Sequence, residues 1–369
     1  MARAFDADGH VVEPDLVWDD FLDARYRGFA PQVIEHEDHF RYVCGDRIGF
    51  RIFNRPDSVA APGHTRDEGE LRRAQGASDP KGRLEDMDLD GLALAALYPT
   101  YGLMIQGVTE RRPALALCQA INDWLAEYCA HDPARLLGIG TLPMTHPEDA
   151  LAEARRCIEE LGFRGVWRRP ESFAGVPPIH DAGFEPLWNY LEECDVPLAV
   201  HPGLNGVVPY AFFGDRLGQD FATMHAAHFP VEQIMNLTGL VAFGVLERHP
   251  KLRVALLESG AVWALSYLHR LDEHHEHYDL PTKLPLRPSE YFARQCFVSV
   301  EEPEPALDVM LERYPESIVF ASDYPHGDCT FPGATQALDE CSDLSDAQRE
   351  AVLWRNSCRL YAIDSETPR

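Results

Sequence analysis

Eight short apolar runs alternate with amphipathic stretches along this chain, and no other feature constrains the fold as much. The runs occupy 3–8, 92–98, 136–142, 164–168, 196–200, 252–257, 296–300 and 317–321. Helices are predicted between them, for example at 113–131, 147–161 and 260–276. Eight strands that alternate with helices predict an α/β fold, a (β/α)8 TIM barrel. A doubly wound open sheet is the alternative, but no G-x-G-x-x-G motif follows the first run.

The interval 13–85 interrupts this alternation and is rich in proline, glycine, arginine and aspartate. Loops of this length in compact domains are usually functional or mobile. We therefore expect residues 1–369 to form a single barrel domain, with 13–85 as a lid or insertion at the barrel mouth.

Metal-binding types of side chain stand at the C-terminal ends of four predicted strands. Asp8 and His10 end the first strand, and their spacing of two places both on one face. His201 follows the fifth strand, Glu258 the sixth and Asp323 the eighth. Because the chemistry of TIM barrels gathers at this rim, these side chains are predicted to converge.

A metal ion is the simplest reason to bury so many titratable groups together. Unpaired, each would cost several kcal/mol. A helical stretch before the sixth strand adds His225 and His228, three residues apart. The predicted ligands are Asp8, His10, His201, His225, His228, Glu258 and Asp323. A mononuclear zinc site uses three or four protein ligands. The seven candidates therefore suit either two ions, or one ion with the remaining side chains around its ligands. Iron, manganese and zinc all fit mixed oxygen and imidazole ligands.

The charge balance excludes other classes of partner. There are 60 acidic and 33 basic residues, a net charge of −27, which argues against nucleic acid and anionic membranes. No apolar run approaches the roughly 18 residues of a membrane span. The start MARAFDADGH lacks an apolar signal core, and the nine cysteines form no C-x-x-C pair. We therefore expect a cytoplasmic protein with reduced thiols.

Four motifs resemble the amidohydrolase superfamily, and its amidohydrolase-2 branch above all. They are the D-x-H of the first strand, the H-P-G at 201–203, GVLERHPKLRVALLESGAVW at 244–263 and ASDYPH at 321–326. That branch includes zinc or manganese decarboxylases of aromatic acids, which usually carry a histidine after the sixth strand. Here Glu258 stands in that place. With the extra pair His225 and His228, this version is similar to non-heme diiron monooxygenases of platensimycin and platencin biosynthesis, an antibiotic pathway.

This resemblance implies a monooxygenase with two iron ions that hydroxylates a terpenoid or acyl group of a coenzyme A thioester. Dioxygen and an external electron donor would be consumed, with Glu258 and Asp323 as catalytic residues. Arg72, Arg73 and Arg168 are the candidates for binding the coenzyme A phosphates. The alternative is a decarboxylase or hydrolase with one zinc or manganese ion, in which Asp323 acts as a general base. A non-catalytic metal-bound scaffold is a third hypothesis, and a homodimer is expected from base rates.

Overall fold

The computed structural model describes residues 3–36, 39–45, 47–48, 52–53, 75–170, 176–203, 221–327 and 329–366. Eight parallel strands form one sheet in which neighbours in the chain are neighbours in space. In order around the barrel, strands 1 to 8 are Ala4–Val11, Leu92–Pro99, Leu136–Thr141, Gly165–Arg168, Leu198–Val200, Val254–Leu256, Cys296–Val300 and Ile318–Phe320. The predicted (β/α)8 barrel is confirmed, and each strand overlaps its predicted apolar run.

Helices alternate with these strands as the sequence predicts. The α-helices are Leu16–Asp20, Pro80–Asp90, Gly102–Ile105, Arg111–Cys129, Pro147–Arg155, Glu185–Glu193, Phe221–Ala242, Val245–Arg248, Trp263–His277, Pro288–Gln295, Leu307–Arg313, Ala334–Asp339, Asp346–Glu350 and Asn356–Leu360. Shorter 3-10 or π-helical turns occupy Ala24–Phe29, Arg156–Glu160, Ala182–Phe184 and Ala351–Arg355. Among the described residues, no helix has the length and apolarity that crossing a membrane requires.

Alternate residues of each strand divide the core into an inner and an outer layer. On strand 2, Leu94 and Tyr98 belong to the cluster inside the barrel, whereas Ala95 and Leu97 pack with the surrounding helices. Both layers are buried, so the strands read as continuous apolar runs. Tyr361, directly after the helix Asn356–Leu360, also belongs to the inner cluster.

The excursion after strand 1 contains an element that the sequence reasoning did not predict. Four antiparallel strands form a second sheet at Pro31–Glu35, His39–Cys44, Arg47–Ile48 and Ile52–Phe53. This part of the excursion shares a buried cluster with Trp18, Met104 and Leu117, beside the helix Arg111–Cys129. Its lid role stays a prediction, because 54–74 lies outside the described residues.

Strand 1 meets the segment that follows strand 8 at the rim of the barrel. The Asp323 N–H donates to the Asp8 carbonyl at 3.1 Å, and the His10 N–H donates to the Tyr324 carbonyl at 2.6 Å. Buried Arg83 donates through Nη1 to the carbonyls of His10 (2.9 Å) and Tyr324 (3.3 Å). These bonds hold the two ends of the sheet together where the candidate ligands lie.

Candidate metal centre

Strand 1 and strand 5 bring three ligand-type side chains to one buried point. The Nε2 atoms of His10 and His201 lie 3.1 Å apart. Asp8 Oδ1 lies 3.7 Å from His10 Nε2 and 3.5 Å from His201 Nε2. All three side chains are almost completely shielded from solvent. The spacing of two residues on strand 1 therefore does place Asp8 and His10 on the same face.

Asp323 completes this cluster from the end of strand 8. Its Oδ1 lies 3.5 Å from His10 Nε2 and 2.7 Å from Nδ1 of His326. The backbone of Asp323 has φ +52°, in the left-handed region that non-glycine residues rarely adopt. Such strain persists where the surrounding structure imposes it, often at functional sites. Here it accompanies a turn that places the carboxylate beside His10.

The four side chains Asp8, His10, His201 and Asp323 fit a divalent cation. Atoms that bind one ion at about 2.1 Å lie roughly 3.0 to 3.4 Å from one another in octahedral and tetrahedral arrangements. The separations from 3.1 to 3.7 Å are close to this range. Asp8 Oδ1 is buried with no hydrogen-bond partner among the described residues, which is costly for a carboxylate. A cation at this point would satisfy it.

The electrostatics of the two imidazoles suit metal binding. His201 Nδ1 lies 2.6 Å from the carbonyl of Pro202. A carbonyl only accepts, so Nδ1 carries hydrogen and Nε2 faces the centre. Burial lowers the pKa of His201, but the carboxylates of Asp8 and Glu258 outweigh it and raise the pKa to about 9. Burial and the neighbouring rings hold the pKa of His10 well below its ordinary value. Because a histidine ligand must be neutral, a cation bound at this point would displace a proton from His201.

Glu258 lies beside the cluster and faces two histidines. Its Oε2 is 3.4 Å from His201 Nδ1, and its Oε1 is 3.5 Å from His225 Nε2. Like Asp323, Glu258 has a left-handed backbone, with φ +51°. Its N–H donates to Ser299 Oγ at 3.0 Å. Burial raises the pKa of Glu258 well above its usual range, although the neighbouring charge of His201 opposes this rise. The turn after strand 6 therefore presents a carboxyl group to the centre.

The other predicted residues lie in different surroundings. His228 Nε2 contacts Glu232 Oε1 one helical turn away. Arg168 is buried, donates through Nε to the Arg169 carbonyl at 3.1 Å and lies over the ring of Phe184. Arg72 and Arg73 fall outside the described residues, so their role in binding coenzyme A stays a prediction.

Two residues support the site in ways that were not predicted from the sequence. Arg83 binds carbonyls on both sides of the rim junction, and His326 binds Asp323. No local pattern marks Arg83, which lies on the helix Pro80–Asp90 and acts on residues far away in the chain. The ASDYPH motif contains His326, but the motif does not reveal that its ring turns back on Asp323.

Comparisons with known proteins agree with this architecture. The chain is 29% identical over 283 residues to the γ-resorcylate decarboxylase of Rhodococcus jostii. The aligned region covers 70% of this chain and 80% of the relative. It is 25% identical to a 2-amino-3-carboxymuconate-6-semialdehyde decarboxylase of Dictyostelium discoideum, over 78% of this chain and 77% of the relative. These named relatives are decarboxylases and not diiron monooxygenases.

Solved structures have the same fold. An amidohydrolase from Mycobacterium avium subsp. paratuberculosis superposes with a TM-score of 0.80 at 19% identity, over 99% of both chains. A 5-carboxyvanillate decarboxylase from Novosphingobium aromaticivorans, solved with manganese and 4-hydroxy-3-methoxy-5-nitrobenzoic acid, gives a TM-score of 0.72 at 21% identity, over 98% and 96% of the two chains. The amidohydrolase family profile matches residues 5–363. The chain therefore belongs to the amidohydrolase family.

Proposed function

We propose that this chain is a metal-dependent decarboxylase of an aromatic or similarly conjugated carboxylic acid. The observation that carries the proposal is the convergence of Asp8, His10, His201 and Asp323 on one point, with the carboxyl group of Glu258 beside it. The γ-resorcylate decarboxylases and the other decarboxylases among its relatives support the reaction class.

One manganese or zinc ion suits the four ligands. Two carboxylates and two imidazoles provide a mixed oxygen and nitrogen set, which both metals accept. Related decarboxylase structures contain manganese. Asp8, His10, His201 and Asp323 would hold the cation, which would supply Lewis-acid polarisation of substrate oxygens.

Glu258 is the group placed to move a proton. Its side chain is 9% exposed, whereas those of Asp8 and His201 are at most 2% exposed, so Glu258 is more open to the barrel mouth. In decarboxylation the bond between the ring carbon and the carboxylate breaks, and its electron pair stays on that carbon. The proton of Glu258 then moves to this carbon, carbon dioxide leaves, and water restores the proton. In a hydrolase with this site, Asp323 beside His10 would instead be the general base that takes a proton from water.

Carbon dioxide release from a panel of hydroxylated benzoates tests the proposal, with manganese or zinc supplied. Glu258→Gln keeps the shape but holds no transferable carboxyl proton. We expect it to lower kcat at least about 100-fold, the range for loss of general acid catalysis, with metal content unchanged. Glu312→Gln, on an exposed part of the helix Leu307–Arg313, is the matched control. If Glu258→Gln left kcat unchanged, Glu258 would not be the proton donor. If none of the acids released carbon dioxide, the proposed decarboxylation would be refuted.

A diiron monooxygenase is the second candidate, and the position of Glu258 is the observation that favours it. Glu258 stands between two histidines, with one carboxylate oxygen 3.4 Å from His201 Nδ1 and the other 3.5 Å from His225 Nε2, and a second ion would add Glu258 and His225 to the ligands. In that reaction a substrate C–H bond, dioxygen, two external electrons and two protons give an alcohol and water. A coenzyme A thioester would be the substrate, held by Arg72 and Arg73.

Metal content and gas exchange separate the two candidates. The decarboxylase predicts about one manganese or zinc per chain and carbon dioxide release without oxygen uptake. The monooxygenase predicts two irons per chain and oxygen uptake with a reductant. Loss of preference for the thioester over the free acid after Arg72→Ala with Arg73→Ala would support the coenzyme A contact. The homodimer stays a prediction, which the molar mass in solution tests.

A further inference from the structure

We infer that His326 is a positioning residue that holds the Asp323 carboxylate in the orientation that binds metal. This inference rests on the metal centre of the proposed function. The ring Nδ1 of His326 lies 2.7 Å from Asp323 Oδ1, the same oxygen that faces His10 Nε2 at 3.5 Å. The histidine therefore acts on the oxygen that points at the centre.

The direction of this hydrogen bond follows from the chemistry of the partners. An ionised carboxylate only accepts, so Nδ1 of His326 donates to Asp323. The other ring nitrogen, Nε2, lies 3.1 Å from Thr100 Oγ1, just after strand 2. In a neutral ring Nε2 accepts, so the Thr100 hydroxyl donates to it. Both nitrogens are engaged, which fixes the tautomer and the ring orientation.

The face of the His326 ring is held as well. It stacks on His10 with the centroids 4.2 Å apart and the planes 29° from parallel. The backbone N–H of His326 also donates to the Asp323 carbonyl at 2.9 Å. The turn thus folds the histidine back over the aspartate that precedes it by three residues.

Asp323 needs such a partner because its own backbone is strained. A non-glycine residue keeps a left-handed conformation only where its surroundings impose it. Without His326, the carboxylate could rotate away from His10 and lose its place in the ligand set. Loss of such a supporting partner typically weakens metal binding 10- to 100-fold.

The competing interpretation is that His326 binds the ion directly. His10, Asp323 and His326 have ligand atoms within 4.8 Å of one another. However, the 2.7 Å separation between Nδ1 and Asp323 Oδ1 is a hydrogen-bond length, and a nitrogen that donates hydrogen has no lone pair for a metal. The two roles differ in which replacement side chains preserve metal binding.

Three substitutions at one position test the inference. In His326→Asn the amide nitrogen can occupy the place of Nδ1, in His326→Gln it reaches the place of Nε2, and His326→Ala has neither. The dissociation constant for Mn²⁺ is measured by competition with a chromogenic chelator, without substrate. We expect alanine and glutamine to weaken binding about 10- to 100-fold and asparagine to stay within about 3-fold of wild type.

Two outcomes would overturn the inference: wild-type affinity in His326→Ala, or asparagine as weak as alanine. The unfolding temperature of each metal-free variant shows whether it is folded, and His277→Ala, at an exposed helix end, is the matched control. Should His326→Ala not fold, Thr100→Val removes only the hydroxyl that holds Nε2, and unchanged Mn²⁺ affinity there counts against the inference. The test measures metal affinity and not activity. It can therefore succeed or fail independently of whether the wild-type protein decarboxylates any acid.

Discussion

Two tyrosines inside the barrel, Tyr98 and Tyr361, form a short chain of hydrogen bonds that ends on strand 1. Removing the Tyr361 hydroxyl should lower the free energy of unfolding more than removing the Tyr98 hydroxyl. The Tyr361 hydroxyl donates to the Ala7 carbonyl at 2.9 Å. The Tyr98 hydroxyl lies 2.9 Å from the Tyr361 oxygen. Since a phenol has one hydrogen and Tyr361 gives its own to Ala7, Tyr98 must donate to Tyr361. Both side chains are buried, so water cannot replace a lost partner.

Tyr361→Phe takes the side-chain donor from the buried Ala7 carbonyl and the acceptor from the buried Tyr98 hydroxyl. Each such group costs about 1–3 kcal/mol, so we expect the free energy of unfolding to fall by about 3 kcal/mol. Tyr98→Phe removes one hydrogen bond but leaves the bond from Tyr361 to Ala7 intact. Its expected cost is about 1 kcal/mol, the net value of one hydrogen bond.

Equilibrium unfolding in urea of both single variants and of the double variant measures these costs. Adding Tyr98→Phe to Tyr361→Phe should recover about 1 kcal/mol, because it removes the stranded hydroxyl. The reasoning is refuted if Tyr98→Phe costs as much as Tyr361→Phe, or if the double variant equals the sum of the two.

Three other predictions concern the metal, the buried Glu13 and the half-buried Glu304. Protein with free metal at 100 times Kd should have a free energy of unfolding about 2.7 kcal/mol higher than protein treated with a chelator. Unfolding measured with and without the chelator tests this difference. Burial raises the pKa of Glu13 to about 7, so the folded state keeps this proton longer than the unfolded state. Stability should fall by about 3 kcal/mol between pH 4.5 and 7 relative to Glu13→Gln, and parallel pH profiles would contradict this. Glu304 accepts the N–H groups of Ala261 and Val262 after Glu258. Glu304→Ala should lower kcat with metal content unchanged, Glu304→Gln should restore it, and equal kcat in all three proteins would exclude the effect.

The barrel could be predicted because its strands are buried on both faces. Each strand is a continuous apolar run, as at 136–142, where the observed strand is Leu136–Thr141. Parallel strands end at one rim, so the types of residue at those ends predicted where Asp8 and His201 would meet. The family resemblance follows from the same rim motifs.

Other features could not be predicted, because they depend on contacts between distant residues. The strands Arg47–Ile48 and Ile52–Phe53 have two residues each, too short for a hydrophobic period to appear. The burial of Arg168 follows from its contacts with Arg169 and Phe184, which no charge pattern encodes. The number of ions depends on separations of a few tenths of an ångström around Glu258, which spacing along the chain cannot define.

The junction between the two ends of the sheet has a consequence for how the protein matures. Asp8 and His10 are made on the ribosome more than 300 residues before Asp323. An ion bound by all three must wait until both ends of the chain have come together. Loading of the proposed metal would thereby depend on closure of the barrel, and a translation product that ends before Asp323 would lack one of the proposed ligands.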